Sequence, residues 1–593
     1  MPYVDNIFGD LIEPEGRLVR HRTMREGVRH LSRISPPDPA PGQAITLILT
    51  TGGPLPYDDA RCWWWAEDGD EQVLDLTPAG AEWDVISWGY VRRWEAHLPP
   101  QLADTMLRYR IAARVSGSDR WVYADTNAES PADGETFALL VDADPAPVWA
   151  RQTVVYQVFL DRFAPGAGRD WLKPDGMSGF FGGTLRGLIE QLGYIQDLGF
   201  SAIWISPVFA SPTHHGYDAT DLFTVEPRLG TNEDLLELFA TAHTRGMRVI
   251  LDFVANHWSN QHPSLHDAQA DAASPYHEWY SWKRWPDDYQ GYFGLADMPE
   301  LNLRSKSLRD HLIGAATHWL RAGADGLRLD YAYGPPHAFW AEFRRACRAA
   351  KPDSWLFGEI IYDPDKLVSY VGYLDGVLDF PLTYALRETF ARRTWDLAQL
   401  ESFLSGHEQF FPPALMRPSF LDNHDMNRFL LLANGEQALL RLAALVLFTL
   451  SGPPIVYYGT EVGVRQRVHI HGEGGSNRLE ESRVPMLWGA DQDGELLAYF
   501  RRLIGLRREN PALAEGGRHA LHLDAAAGSY AYLRDGAAPV IVAINLGDAP
   551  VTIRVPRSGL HNHAADALNR NPVRVAGDEV AVDLPAQSGA FII

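Results

Sequence analysis

The stretch "DHLIGAATHWLRAGADGLRLD", Asp310 to Asp330, joins two structural rhythms in one short segment. Its first part, up to Gly323, spaces apolar residues as an amphipathic helix does and stops at a glycine. Its second part, "DGLRLD", reads as a short buried strand that nevertheless carries Arg328 and Asp330. Strand side chains alternate faces, so residues i and i+2 point the same way. A same-facing Arg and Asp at the end of a core strand either form a structural ion pair or serve a site.

The same helix-and-strand unit recurs on both sides of this segment. Strands are expected to start near Val154, Ala202, Val249, Gly326, Trp355, Gly376, Ser419 and Pro454, mostly with a helix between. Such alternation calls for parallel βαβ units, and eight of them for an α/β fold of the closed (β/α)₈ TIM-barrel type. Between the third strand and its helix lie about 50 aromatic-rich residues, too many for a plain connection; residues 257–309 are read as an inserted subdomain. Before the barrel, period-two runs such as "LILTTGGP" and "LRYRIAARV" indicate a β-sandwich. The Pro-containing "DADPAPVWAR" is read as a linker, and alternation returns near the C-terminus in "PVIVAINLG" and "VTIRVP". The expected organisation is an N-terminal β-sandwich, carbohydrate-binding-like module over 1–147, a barrel over 148–514, and a C-terminal β-sandwich over 515–593.

Composition narrows the function classes. The 593 residues are 46% hydrophobic, enough for a large core, and carry 53 Lys plus Arg against 76 Asp plus Glu, a formal charge of −23. A phosphate backbone or an anionic membrane surface is repelled on average, so neither nucleic acid nor membrane is expected as a partner. The two cysteines, Cys62 and Cys347, lean towards a reducing compartment. The start "MPYVDNIFGDLIEPEG" lacks a basic region followed by an apolar one, and no apolar run reaches membrane-spanning length. The expectation is a soluble, cytoplasmic protein acting on a neutral or cationic small molecule.

In such a barrel the reactive groups sit at the C-terminal strand ends. The fourth strand ends at Asp330, the fifth at Glu359, the seventh runs into His424 and Asp425, and the third into Asn256 and His257. Three carboxylates, two histidines and Arg328 are thus expected on one rim. Two carboxyl groups flanking a bond are what glycoside hydrolysis requires, one to protonate the departing oxygen and one to attack or to activate water. Arg328 is expected to keep Asp330 ionised, and Glu359 to have a pKa raised by desolvation and like-charged neighbours. Singly, an Arg-x-Asp on a strand is more often structural; the constellation of three acids at three strand ends is not.

At these residues the sequence resembles the α-amylase family, glycoside hydrolase family 13. The segments are "LDFVANH", "GLRLD", "FGE" and "FLDNHD", in order, with "YQVFLDRF", "FFGGTLRGL", "SPTHHGYD" and "MPELN" in support. The resemblance implies a retaining mechanism on α-glucosidic bonds, with Asp330 as nucleophile, Glu359 as acid/base and Asp425 as stabiliser of the distorted sugar. It also implies that His257 and His424 bind hydroxyls of the attacked glucose, that Arg328 supports Asp330, that Tyr217 stacks below the ring and that Arg483 is a substrate-side arginine.

Within the family, the length, the aromatic N-terminal module and "MPELN" look most like the cyclomaltodextrinase, neopullulanase and maltogenic amylase branch. This implies malto-oligosaccharides, cyclodextrins or related α-glucans as substrates, some transglycosylation and a homodimeric state. Two stretches bordering the acceptor side, "YAYGPPHAFW" and "EIIYDP", depart from that branch. A transglycosylase or an α-1,6-active glucosidase is the enzymatic alternative, and a noncatalytic amylase-like scaffold the non-enzymatic one. No cofactor is required. The calcium site common in that branch draws Asn/Asp ligands from after "DRF" and an Asp after "FGG"; "DRFAPGAGRD" and Thr184 supply few hard oxygens, although Asn256 matches a position that ligates calcium. His214 stands where exo-acting relatives carry an Asp. Of Trp63, Trp64 and Trp65, at least one belongs to the core and another is a stacking candidate. His469 and His471 have a spacing seen in metal sites, but their Gly-rich loop speaks against one, and no metal ligand is assigned.

Overall fold

The computed structural model describes residues 14–67, 69–142, 146–471, 478–561 and 563–593. Its centre is a parallel sheet of eight strands: β1 (Val155–Val158), β2 (Ala202–Ile205), β3 (Arg248–Val254), β4 (Gly326–Asp330), β5 (Trp355–Gly358), β6 (Gly376–Val377), β7 (Ser419–Phe420) and β8 (Pro454–Tyr457). Hydrogen-bonded neighbours run β6-β5-β4-β3-β2-β1-β8-β7. The remaining seam closes through backbone bonds from Val377 N–H to Met416 and from Met416 N–H to Asp375, each 3.0 Å. The expected eight-stranded barrel is therefore present, with β6 and β7 reduced to two residues each.

Local sequence explains the units. In the helix Lys306–Ala322, Leu308, Leu312, Ala315, Ala316, Trp319 and Leu320 are buried along one face. Each large apolar side chain so buried contributes about 1.5–3 kcal/mol of transfer free energy. The helix ends at Gly323, whose φ of 134° a side chain would resist, and the chain re-enters the barrel as β4. All five residues of β4 are buried, as a parallel strand covered on both faces requires.

The insertion after β3 contains a helix (Pro263–Ala270) and a two-stranded ladder of Trp282–Arg284 with Asp288–Tyr289. Residues 27–141 form two five-stranded antiparallel sheets, and residues 518–592 form antiparallel sheets of four and three strands. A helix over Pro14–Arg25, for which the sequence reading makes no provision, precedes the first of these. Among the tryptophans, Trp64 is buried, Trp63 packs on Trp121 and Tyr123, and Trp65 lies under the Arg110 guanidinium. Trp64 is thus the core member, while Trp63 and Trp65 are half-buried, each with a neighbour against it. Among the described residues no helix is long and apolar enough to cross a membrane, and Cys62 and Cys347 are buried and free.

Candidate active site

The strand register places the first two charges. β3 and β4 pair with Asp252 opposite Arg328 and Val254 opposite Asp330. Opposed residues of parallel neighbours point to the same side, so Asp252, Arg328 and Asp330 share the barrel interior. One Arg328 nitrogen, Nη1, donates to Asp252 Oδ1 and Asp330 Oδ1, both at 2.8 Å. The other, Nη2, lies 2.6 Å from Glu359 Oε1, an ion pair too bent for a good hydrogen bond. Beyond β4 the chain turns sharply at Tyr331, whose φ of 39° is strained for a side-chain-bearing residue, and its N–H meets Glu359 Oε2 at 3.3 Å.

A second chain of bonds leads away from this group. Trp204 Nε1 and the Tyr217 hydroxyl both donate to Asp252 Oδ2 at 3.0 Å. Gln157 Nε2 donates to His424 Nδ1 at 2.9 Å, which leaves the ring proton on Nε2, shared between the Tyr217 hydroxyl (2.5 Å) and Asp425 Oδ2 (3.0 Å). Arg483 Nη2 donates to Asp425 Oδ1 at 2.9 Å. His257 stacks face to face on Tyr292 of the insertion, ring centres 4.1 Å apart, and burial lowers its pKa to about 3, so the ring is neutral.

These groups surround a cavity of about 510 Å³ lined by Tyr217, His257, Asp330, Asp425 and Arg483, with Tyr292, Leu295 and Met298 of the insertion on its wall. The structure thus gathers Asp330, Glu359, Asp425, Tyr217, His257, Arg328, His424 and Arg483 into one connected cluster. Glu359 is buried and is joined to the cluster through Arg328.

Electrostatics divide the acids. Burial raises Asp330 well above the usual carboxylate range, and Glu359, Asp252 and Asp425 add to the rise against the pull of Arg328. The expectation that Arg328 would keep Asp330 ionised is corrected, because burial and the neighbouring acids outweigh the pull of a guanidinium that is divided among three carboxylates. Glu359 is also raised, by burial and Asp425 against Arg328. For Asp425, burial works upward but is outweighed by His424, Arg483 and Arg328, and the group sits well below its ordinary value.

Sequence reasoning passed over Asp252, Trp204 and Gln157, which the strand registers could have disclosed. It also passed over Tyr292, Arg162, His215 and Glu480, which sit in loops with no periodic signal. The calcium ligands do not fit. The carbonyl oxygens of Pro165 and Gly166 and the Thr184 hydroxyl, all neutral, accept from the Arg169 guanidinium at 2.8, 3.4 and 3.2 Å. Asp161 accepts the N–H groups of Phe181 and Gly182, and Asn256 Nδ2 donates to His257. Among the described residues no three His, Cys, Asp or Glu side chains, His469 and His471 included, are grouped to hold a metal. Most of the loop after His471, residues 472–477, lies outside the described residues.

A (β/α)₈ barrel with paired acids at adjacent strand ends, Asp330 on the wall of a cavity, defines a carboxylate-dependent glycosidase architecture. Residues 157–495 match the α-amylase catalytic domain, and the chain belongs to the α-amylase family, glycoside hydrolase family 13. Alpha-amylase 2 of Dictyoglomus thermophilum is 33% identical over 518 residues, 87% of this chain and 88% of that protein. A cyclomaltodextrinase of Geobacillus thermopakistaniensis is 31% identical over 542 residues, 87% of this chain and 89% of that protein. A cyclomaltodextrinase of known structure superimposes with a TM-score of 0.69 at 25% identity, over 96% of this chain and 99% of that one. The protein is accordingly an enzyme of this family, a glycoside hydrolase.

Proposed function

We propose that the enzyme cleaves α-glucosidic bonds in malto-oligosaccharides, cyclodextrins or related α-glucans with retention at the anomeric carbon, and that it transfers glucosyl units to sugar acceptors as a side route. The observation that carries this reading is the gripping of Asp330 and Glu359 by the two terminal nitrogens of one planar guanidinium, at 2.8 and 2.6 Å. That arrangement suits the close carboxyl pair of a retaining enzyme, about 5 Å apart, better than the wider pair that leaves room for a water.

In this mechanism Glu359 delivers its proton to the glycosidic oxygen as the Asp330 carboxylate attacks the anomeric carbon. The alcohol leaves and a glycosyl ester forms. Glu359, now ionised, takes a proton from water, whose oxygen displaces Asp330; an incoming sugar hydroxyl in place of water gives transfer. Asp425, held ionised by His424 and Arg483, faces the hydroxyls of the attacked glucose, with His257 and Arg483 as donors and the Tyr217 ring below; the one ring proton of His424 is already shared between Tyr217 and Asp425. Trp204 and Arg328 hold Asp252, which in turn orients Tyr217.

We further place the enzyme in the cytoplasm and allow it a homodimeric state. An intracellular maltogenic amylase of Bacillus subtilis is 31% identical over 505 residues, and both cysteines here are unpaired. The test is chromatography of products from maltotriose, a cyclodextrin and pullulan, with NMR of the first anomer released. Release of α-anomers from at least one of these supports the reading; β-anomers, or no cleavage of any, overturn it.

A further inference from the structure

A second cavity, of about 490 Å³, shares no lining residue with the catalytic one. It lies where the end of the helix Pro14–Arg25 and residues 31–37 meet the chain that follows β5. Lys366 and Arg33 line it, and both are cations without an acid. The Lys366 ammonium sits over ring faces, 5.2 Å from the centre of Tyr333 and 5.4 Å from that of Tyr370, and among the described residues it makes no hydrogen bond or ion pair. Asp125 and Glu135 act on it from beyond ion-pair distance; burial outweighs them and brings its pKa down to about 8. Arg33 donates from Nε to the His30 carbonyl at 3.1 Å, and from Nη2 to the Arg29 carbonyl and the Thr50 hydroxyl at 3.2 and 2.7 Å. These acceptors are neutral, and burial works against the charge of Arg33 as well. The other basic residues on the wall are committed: His21 and Arg25 meet Asp84, and Arg25 also meets Glu82.

Two half-buried cations on one cavity, with no carboxylate between them, carry an uncompensated desolvation cost. An anion held by both offsets it, and a phosphate ester suits a guanidinium and an ammonium together. The rest of the wall says what the phosphate is attached to. Tyr333 and Tyr362 stack with ring centres 5.0 Å apart and planes 13° from parallel, and Tyr333 is 38% exposed. Such rings take the C–H face of a sugar, and their hydroxyls and the exposed carboxylate of Asp365 on the same wall can meet its hydroxyls. The volume is that of an ordinary small-molecule site.

We propose that this cavity is a binding site for a hexose carrying a phosphate ester, with the phosphate at Lys366 and Arg33 and the sugar against Tyr333 and Tyr362. The site is separate from the catalytic cavity and stands whether or not the reaction proposed above does.

The test is calorimetric titration of the full-length enzyme with glucose 6-phosphate, glucose 1-phosphate, glucose and inorganic phosphate. At least one sugar phosphate should bind more than about tenfold tighter than either glucose or inorganic phosphate. Equal affinity for inorganic phosphate would leave the rings without a role, and equal affinity for glucose would leave the cations without one; either result overturns the proposal, as does no binding at all. Lys366→Met keeps the stem on the rings and removes the charge, and should weaken the sugar phosphate about 10- to 100-fold, with a smaller loss in Lys366→Arg. Undiminished binding in Lys366→Met places the ligand elsewhere and overturns the proposal. A measurement on the unmutated enzyme guards against misfolded variants. The chain has five lysines, so acetylation by acetic anhydride can be followed at each by mass spectrometry. Saturating sugar phosphate should slow labelling of Lys366 several-fold and leave the exposed Lys173, Lys283 and Lys306 unchanged. Equal labelling of Lys366 with and without the ligand overturns the proposal.

Discussion

The two ends of the catalytic cavity contain the same kind of group in opposite states. At one end Asp252, Asp330 and Glu359 share the single guanidinium of Arg328. At the other, Asp425 and Glu480 are served by Arg483, His424, His214 and Arg162. All of these acids are buried or nearly so. Yet Asp330 and Glu359 are raised while Asp425 and Glu480 are lowered. Burial alone works upward on every one of them, so the supply of cations and hydrogen-bond donors decides the sign. The cation-poor end keeps a proton available for chemistry, and the cation-rich end keeps fixed negative charge available for holding a sugar.

The sharpest way to break this division is to neutralise a member of the poor end. Asp330→Asn should lower kcat more than about a thousandfold while circular dichroism stays unchanged; near-normal turnover would remove Asp330 from its role. Glu359→Gln comes next, with a loss of about 10²–10⁴ on ordinary glucans. The loss should shrink strongly on α-glucosyl fluoride, whose leaving group needs no proton. The wild-type profile of kcat/KM against pH should be a bell belonging to the Asp330/Glu359 pair, its acid limb above the ordinary carboxylate value of about 4 because both members are raised. In Glu359→Gln the alkaline limb should vanish while the acid limb stays near its wild-type position, since Glu359 is still protonated, and so as neutral as Gln, over the range in which the acid limb falls. An alkaline limb that survives in Glu359→Gln would remove Glu359 from the role of proton donor.

How much of this was legible in the chain follows from the kind of signal each part left. The eight strands announced themselves because each is a buried apolar run closed by a turn, and β4 could be read down to the shared face of Arg328 and Asp330. The three acids followed from a rule about strand ends. Register was not legible, since nothing in "LDFVANH" says which residue of β3 lies opposite Arg328; hence Asp252 went without a role. The same gap produced the error over Asp330: its cation was visible in the sequence, the two competitors for that cation were not. Glu480 and Tyr292 belong to long connections, where side-chain direction depends on tertiary contacts. The mechanism of closure was hidden too, because the β6 seam is completed by Met416, just outside β7.

The subtlest test of the comparison lies in stability, where the same Asp-to-Asn change should act with opposite signs at the two ends. Asp425 has a folded pKa below its unfolded value, so it contributes stability that is present above about pH 4 and is lost as the pH falls through its lower folded value. Replacing it strands Arg483 and His424, and Asp425→Asn should cost about 1–3 kcal/mol at neutral pH. Asp330 has a folded pKa above its unfolded value, so its contribution is complete only below about pH 4 and disappears as the pH rises through the folded value. At neutral pH its buried ionised form faces the charges of Asp252 and Asp425, and Asp330→Asn should stabilise the protein by about 1 kcal/mol. Thermal unfolding of both variants at pH 7 and at pH 4.5 measures the contrast directly. It should narrow at the lower pH as the Asp330 carboxyl of the wild type takes up its own proton. Two losses of equal size at pH 7 would mean that Arg328 suffices for all three of its partners and that the cavity has no cation-poor end.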